Sequence, residues 1–355
     1  MPISNAGHFN AVSEWFFWNE FSSRYNFIAV DYLVYTNEVI GNIVESYPIV
    51  PIVLGVLLVS VLVTILVRRK LLLSVNVPVP AGRRFMVAGV MSFLLLAMAY
   101  LLPANLHNFT RNNFANELAG NGMYSFVQAF KNNELSFYKY YETIPDDEAF
   151  KIMHEELTVP HSRFISPENT NLLREISDSL PENKMNIVLI SVESLSAQYL
   201  EQFGDPYGLT PYLNNLSEKG MSFTRLYASG TRTVRGLEAI SLAIPPLPGQ
   251  SLVKRKNNEQ MFSLGAVLKS QGYTTQYLYG GYSYFDNMKG FFGQNNYEVI
   301  DRDSIPPALV HYSNIWGVAD EDLFTLATKK MDENSSKNKP FFAHIMTVSN
   351  HRPYT

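Results

Sequence analysis

Asn186-Ile187-Val188-Leu189-Ile190-Ser191-Val192-Glu193 is the stretch that decides the fold. Its apolar run is continuous rather than alternating, which is the pattern of a parallel strand buried on both faces. The run ends in a carboxylate, a costly group in such a place unless it meets a cation. Glu193 therefore reads as an oxygen ligand for a hard divalent cation at the carboxyl end of a strand. The plainer alternative is a carboxylate that caps a following helix, with Ser191 and Ser194 helping locally.

Downstream of this strand the chain alternates helix and strand patterns. Thr210-Pro211 is a helix start, Tyr212 to Lys219 continues it and Gly220 closes it. Met221 to Ala228 reads as the next strand, and Leu237 to Ala243 belongs to a helix. Phe262 to Gln271 forms another helix that ends at Gly272, and Tyr273 to Tyr279 and Phe341 to Val348 read as further strands. The pattern predicts an α/β domain, a mainly parallel sheet with helices on both faces. Ligands of such sheets gather beyond the carboxyl ends of the strands. Glu193, the Thr231–Thr233 turn, Gly280-Gly281 and Ser349-Asn350-His351 all fall at such ends.

Ser229-Gly230-Thr231-Arg232-Thr233-Val234-Arg235-Gly236 brings hydroxyls and guanidinium groups to a helix start, where a negatively charged group is favoured. Thr231 and Thr233 are either helix caps or hydroxyls activated beside bound phosphate oxygens. In the second case Arg232 and Arg235 help neutralise the anion. His351 follows a strand, which suits substrate contact or proton transfer as well as a simple surface role. His344, within the strand, reads as structural. His8, His107, His154, His161 and His311 show no ligand spacing.

Ahead of this domain lies a membrane segment. Pro48 to Val67 is 20 residues without a charge and Phe85 to Leu102 is 18, both near the length that spans hydrocarbon. Arg68, Arg69, Lys70, Arg83 and Arg84 lie between them, whereas only Arg24 precedes them, so the loop 68–84 is expected in the cytoplasm. The organisation predicted is an outward-facing interfacial segment over 1–46, rich in Trp and Tyr, and two transmembrane helices over 47–102. A helical connector over 103–180 and a catalytic domain over 181–355 follow, on the periplasmic or extracellular side. The 355-residue chain has no cysteine, which suits an exported domain without disulfides. A net charge of −4 and the lack of a basic cluster argue against nucleic-acid binding.

These segments resemble the membrane-anchored branch of the alkaline phosphatase/sulfatase superfamily, in particular lipoteichoic acid synthases and the phosphoglycerol transferases of periplasmic glucan synthesis. The resemblance rests on Asn186 to Ser194, Gly230-Thr231-Arg232-Thr233, Trp316-Gly317 and Ser349-Asn350-His351-Arg352-Pro353-Tyr354. It implies that Glu193 and Thr233 bind Mn2+ or Mg2+, that Thr233 is the catalytic nucleophile, and that His351 and Arg232 contact the substrate phosphate. It further implies a bacterial plasma-membrane, multi-pass transferase. Such an enzyme moves a phosphoglycerol-type group from a phosphatidylglycerol-like lipid to a glycan or glycerol-phosphate acceptor through the threonine.

Two departures stand out. Where lipoteichoic acid synthases carry Asp, Trp and Arg, the counterparts here are Gly281, Asp286 and Met288. The family's downstream Asp-His metal pair has no match before Thr355, so the chain reads as a fragment, incomplete at its carboxyl end and at its amino end. Three other readings stay open. One is a sulfatase or phosphodiesterase that passes the group to water, although Thr233-Val234-Arg235 lacks the usual Cys/Ser-x-Pro-x-Arg context. The others are a phosphoethanolamine transferase, which usually carries disulfides, and a non-catalytic, truncated envelope protein.

Overall fold

The computed structural model describes residues 2–75, 79–101, 106, 108–131, 142–177, 180–230, 232–245, 247 and 249–354. Thr231, Leu102, Thr355 and parts of the 68–84 loop and the 103–180 connector lie outside these. The chain divides into two compact units, Met1–Asn133 and Glu134–Thr355.

The first unit is helical among the described residues: α1 (Pro2–Phe21), α2 (Phe27–Val34), α3 (Thr36–Ser46), α4 (Ile49–Val75), α5 (Ala81–Leu101), α6 (Asn113–Ala119) and α7 (Gly122–Lys131). Within α4 and α5 the segments Ile49–Arg68 and Ala81–Met98 are long and apolar enough to cross a membrane, and almost none of either is buried by protein. The second begins four residues before the charge-free run, because Pro80 starts the helix and Arg83 and Arg84 fall in its first turn. The aromatic residues of the amino-terminal segment are organised rather than loose. α1 packs along α4, where His8 Nδ1 and the buried Ser60 hydroxyl lie 3.0 Å apart. Phe17 meets Phe21, Tyr25 and Tyr32 edge-on or tilted. Arg24 joins the pieces, its guanidinium bonding the Glu14 carboxylate at 2.5 Å and the Glu117 carbonyl at 3.1 Å. Asn26 and Asn112 cap α2 and α6 with their side-chain oxygens.

The second unit opens with α8 (Asp146–Leu157) and an antiparallel pair, β1 (Ser162–Phe164) and β2 (Arg174–Ile176), which the sequence reading did not foresee. The α/β core follows: β3 (Ile187–Ser191), α9 (Pro211–Lys219), α10 (Thr233–Leu242), α11 (Leu264–Ser270), β4 (Thr274–Tyr279), α12 (Met288–Gln294), β5 (Glu298–Ile300), α13 (Asp320–Ser335) and β6 (Phe341–Met346). The four core strands run parallel in the order β3-β6-β4-β5. Side-chain alternation sorts them onto two faces. Tyr277, Tyr279, Phe342 and Met346 meet Leu237 of α10 and Phe291 and Phe292 of α12. Leu278, Phe341, Ala343 and Ile345 meet Leu323, Leu326 and Ala327 of α13. Helices therefore cover both faces, as the pattern predicts. Phe292 stacks on Tyr277 with ring centroids 3.7 Å apart, and burying each such side chain contributes about 1.5–3 kcal/mol.

Three local expectations are corrected. β3 is not buried on both faces. Among the described residues it pairs only with β6, at the sheet edge, α11 and α13 pack over β4 and β6, and Val188 and Ile190 stay 44% and 46% exposed. Met221 to Ala228 forms no strand, because no described neighbour offers a ladder, and Met221, Leu226 and Tyr227 lie exposed. Thr210 precedes α9, but its hydroxyl donates to the Tyr199 carbonyl at 2.7 Å instead of capping, and Gly220 ends that helix with extended backbone. Two boundaries have simple causes. α11 begins at Leu264 because the Ser263 hydroxyl accepts from the Ala266 N–H at 3.1 Å, and the turn beyond its end uses Gly272 at φ +90°.

Candidate active site

Glu193 lies two residues beyond β3, and the segment leaving β6 holds its main chain. The Glu193 N–H donates to Thr347 Oγ1 at 2.9 Å, and Asn350 Nδ2 donates to the Glu193 carbonyl at 3.1 Å. Both carboxylate oxygens then receive hydroxyls. Ser194 donates to Oε1 at 2.9 Å from a backbone at φ +51°, and Thr233 donates to Oε2 at 2.8 Å. Glu193 is thus not a helix cap, and neither is Thr233.

Thr233 is the first residue of α10, with Arg232 in the capping position on extended backbone. The first turn of a helix leaves N–H groups without intrahelical partners, which favours an anion nearby. Arg235 does not serve that anion. Its guanidinium bonds Glu238 at 2.8 Å and also the Gly249 carbonyl. Glu238 is wholly buried and accepts from the Ser251 hydroxyl at 2.6 Å and the Leu252 N–H at 2.5 Å. Arg235 was drawn inward by a buried carboxylate one turn along the helix, so its role is to fix α10.

A pocket at the carboxyl ends of the strands is lined by Glu193, Thr233, Tyr279, Trp316, Thr347 and His351, with Phe285, Met288 and Val348 completing its wall. The structure thus brings Glu193, Thr233 and His351 together. Arg232 adjoins the pocket through the chain but is not one of its lining residues, and Thr231 lies outside the described residues. His351 Nδ1 donates to the Arg352 carbonyl at 2.8 Å, which leaves Nε2 as its other polar atom. Its ring lies 4.2 Å from that of Trp316, whose Nε1 donates to the same carbonyl at 2.6 Å. Trp316 stands here because backbones meet closely behind it. A Cβ on Gly317 would lie 2.4 Å from the Gly280 carbonyl oxygen, and one on Gly281 would lie 2.4 Å from that of Trp316.

Asp286 and Met288, at the first departure, have distinct fates. Asp286 is buried and pairs with Lys254 at 3.2 Å, away from the pocket lining. Met288 forms part of the wall, where its sulfur receives the Tyr277 hydroxyl at 3.1 Å. Tyr279, unremarked in the sequence, closes the pocket from the end of β4. Burial, and then the negative charge of Glu193, push its phenol above the ordinary value, so it stays protonated. Thr347 was missed as well; its signal was its place one residue past a buried strand.

Two histidines do structural work. His344 Nε2 lies 2.8 Å from the Ser191 hydroxyl and joins β6 to β3; burial lowers its pKa to about 3. His311 Nδ1 meets the buried Asp322 carboxylate at 2.5 Å, a contact that raises the imidazole pKa.

For a metal, Glu193 and Thr233 offer two hard oxygens, right in kind for Mn2+ or Mg2+. Such ions are often held by one or two carboxylates together with substrate phosphate and water. Among the described residues no group of three or more His, Asp or Glu gathers into a fuller cage.

Comparisons with known proteins bear on the α/β domain. Residues 185–355 match the Sulfatase family model. Phosphoglycerol transferase I of Escherichia coli O6:K15:H31 (strain 536 / UPEC) is 29% identical over 207 residues, 56% of this chain and 27% of that protein. Phosphoglycerol transferase I of Shigella boydii serotype 18 is 28% identical over the same length and shares. The chain thus spans about a quarter of the length of the curated relatives it matches. A crystal structure of an alkaline phosphatase superfamily protein from Vibrio parahaemolyticus aligns with a TM-score of 0.53 at 33% identity, over 62% of this chain and 53% of that one. The lipoteichoic acid synthase LtaP from Listeria monocytogenes aligns with a TM-score of 0.43 at 18% identity, over 48% of this chain and 42% of that one.

Proposed function

We propose, from the premise that residues 185–355 form a sulfatase-family domain, that this protein is a phosphoglycerol-type transferase with Thr233 as its nucleophile. The observation that carries the reading is the 2.8 Å hydrogen bond from the Thr233 hydroxyl to Glu193. A threonine at a helix start most often caps it; this one turns away to a carboxylate beyond a strand end. The names of the relatives support the transferred group.

In this account Thr233 Oγ1 attacks the phosphorus of a phosphatidylglycerol-like lipid while its proton passes to Glu193 Oε2. The phosphorus–oxygen bond to the diacylglycerol breaks, and diacylglycerol leaves as the alcohol after taking up a proton. A phosphoglycerol group remains on Thr233. The hydroxyl of a glycan or glycerol-phosphate acceptor then displaces it, and Thr233 recovers its hydroxyl. His351 Nε2 and Arg232 contact the phosphoryl oxygens. A Mn2+ or Mg2+ ion held by Glu193 and Thr233 would supply hydroxyl activation and charge neutralisation.

The donor is a lipid, so the reading places the protein in the bacterial plasma membrane. Residues 47–102 provide two spans and 68–84 the cytoplasmic loop. Residues 1–46 lie toward the outer interface, 103–180 connect, and 181–355 form the catalytic domain on the outer side. The test is to incubate the full-length protein, in vesicles, with labelled phosphatidylglycerol and Mn2+. Release of diacylglycerol that Thr233→Ala abolishes supports the reading; equal release by the variant removes it.

A further inference from the structure

We propose that Tyr279 is a catalytic residue of this site, its phenol donating a hydrogen bond to an oxygen of the transferring phosphoryl group. The inference rests on the transferase reading and adds to it a contact with the reacting group.

Tyr279 is the last residue of β4 and is only 5% exposed. Its ring is fixed beside that of Tyr277, with centroids 6.3 Å apart. The side chain lines the same pocket as Glu193, Thr233 and His351, and no described protein group hydrogen-bonds its hydroxyl. The hydroxyl is not sealed off from the pocket, so a ligand there can take the hydrogen bond that solvent otherwise takes. The backbone makes room for it. A Cβ on Gly281 would lie 2.7 Å from Tyr279 Cζ, so any larger residue there drives the phenol tip from its place.

The chemistry suits a neutral donor. A lysine or arginine at this point would pair with Glu193 and compete with Thr233 for it. A phenol adds no charge, and an ordinary tyrosine, with a pKa of about 10, keeps its proton at neutral pH. Phe285, Met288 and Val348 make part of the pocket wall apolar, so a hydrogen bond made there is worth more than one in water. Charge that builds on the phosphoryl oxygens during transfer strengthens that bond.

The test compares the full-length wild type, Tyr279→Phe, Tyr279→His and Thr233→Ala in vesicles with Mn2+, each checked for native circular dichroism. Two readouts are taken: kcat/KM for diacylglycerol release from phosphatidylglycerol, and the Kd for inorganic phosphate by calorimetry. Tyr279→Phe is expected to lower kcat/KM roughly 100-fold, the scale of one lost transition-state donor. It is also expected to weaken phosphate binding about tenfold or more, with Tyr279→His recovering part of both. Wild-type turnover and phosphate affinity in Tyr279→Phe would overturn the proposal and leave the transferase reading standing. No phosphate binding by the wild type would overturn it too. Weakened phosphate binding in Tyr279→Phe, with no Thr233-dependent release in the wild type, would instead remove the transferase reading and keep the phosphate contact.

Discussion

Thr233 Oγ1 donates to Glu193 Oε2 across 2.8 Å although 40 residues separate the two in sequence. One residue starts a helix and the other lies two residues past a strand, and the segment after β6 fixes that strand exit through Thr347 and Asn350. Thr233 and Glu193 are thus held together by the frame of the sheet, not by a loop that must close.

Replacing Glu193 by Gln keeps the volume and removes the charge. The amide still meets Thr233 but cannot take its proton, so kcat for transfer is expected to fall at least about 100-fold. Circular dichroism should stay native, because the bonds to Thr347 and Asn350 use the Glu193 main chain. Turnover within a factor of a few of wild type would show that the carboxylate has no part in the reaction.

Arg235 and Glu238 test the mounting of the helix that carries Thr233. Arg235→Met leaves the wholly buried Glu238 without its cation, and removing one partner of a buried pair costs about 3–5 kcal/mol. Urea unfolding should report a loss of that order, with activity falling as α10 shifts. A stability within about 0.5 kcal/mol of wild type, the usual range of a surface change, would mean that the pair is not holding α10.

His344 makes stability depend on acidity in a stated direction. Its folded pKa of about 3 lies below the unfolded value of 6.5, so the fold favours the neutral ring. That contribution is complete above pH 6.5 and is lost as pH falls toward 3, by up to about 1.4 kcal/mol per pH unit. The unfolding free energy of the wild type, taken relative to His344→Leu, should therefore drop between pH 6.5 and 4. A constant difference across that interval would show that His344 takes up its proton without unfolding.

Gly317→Ala probes the close approach behind Trp316. The new Cβ would meet the Gly280 carbonyl oxygen at 2.4 Å, and backbone on both sides leaves little room to yield. A loss of about 1–3 kcal/mol in thermal unfolding is expected, with weaker transfer because Trp316 and the tilted His351 ring packed against it move. An unchanged melting temperature would show that the loops part without cost.

Much of this was legible in the residues. The Asn186–Glu193 run, the β4 and β6 strands and the Thr233 helix start were readable because each carries a strong local period or breaker. The rule that ligands collect at strand ends then brought Glu193, Thr233 and His351 together before any geometry was known. Most failures turn on burial and neighbours that only the fold supplies. Met221 to Ala228 has strand-like composition but no ladder beside it, and β3 has a buried strand's composition at an exposed edge. Arg235 looked like an anion ligand because only the fold reveals that Glu238 is buried. α13 shows a short apolar stripe at Leu323, Leu326 and Ala327 among many charges, too narrow to stand out. Tyr279 and Thr347 were signalled only by their places at strand ends, where a tyrosine or threonine is ordinary.

The most direct measurement is intact-mass and peptide-mapping spectrometry of the full-length protein, quenched during turnover with phosphatidylglycerol and Mn2+. A mass increase of one phosphoglycerol group is expected, mapped to Thr233 and absent from Thr233→Ala. An adduct on another residue, or diacylglycerol release that continues in Thr233→Ala, would contradict it.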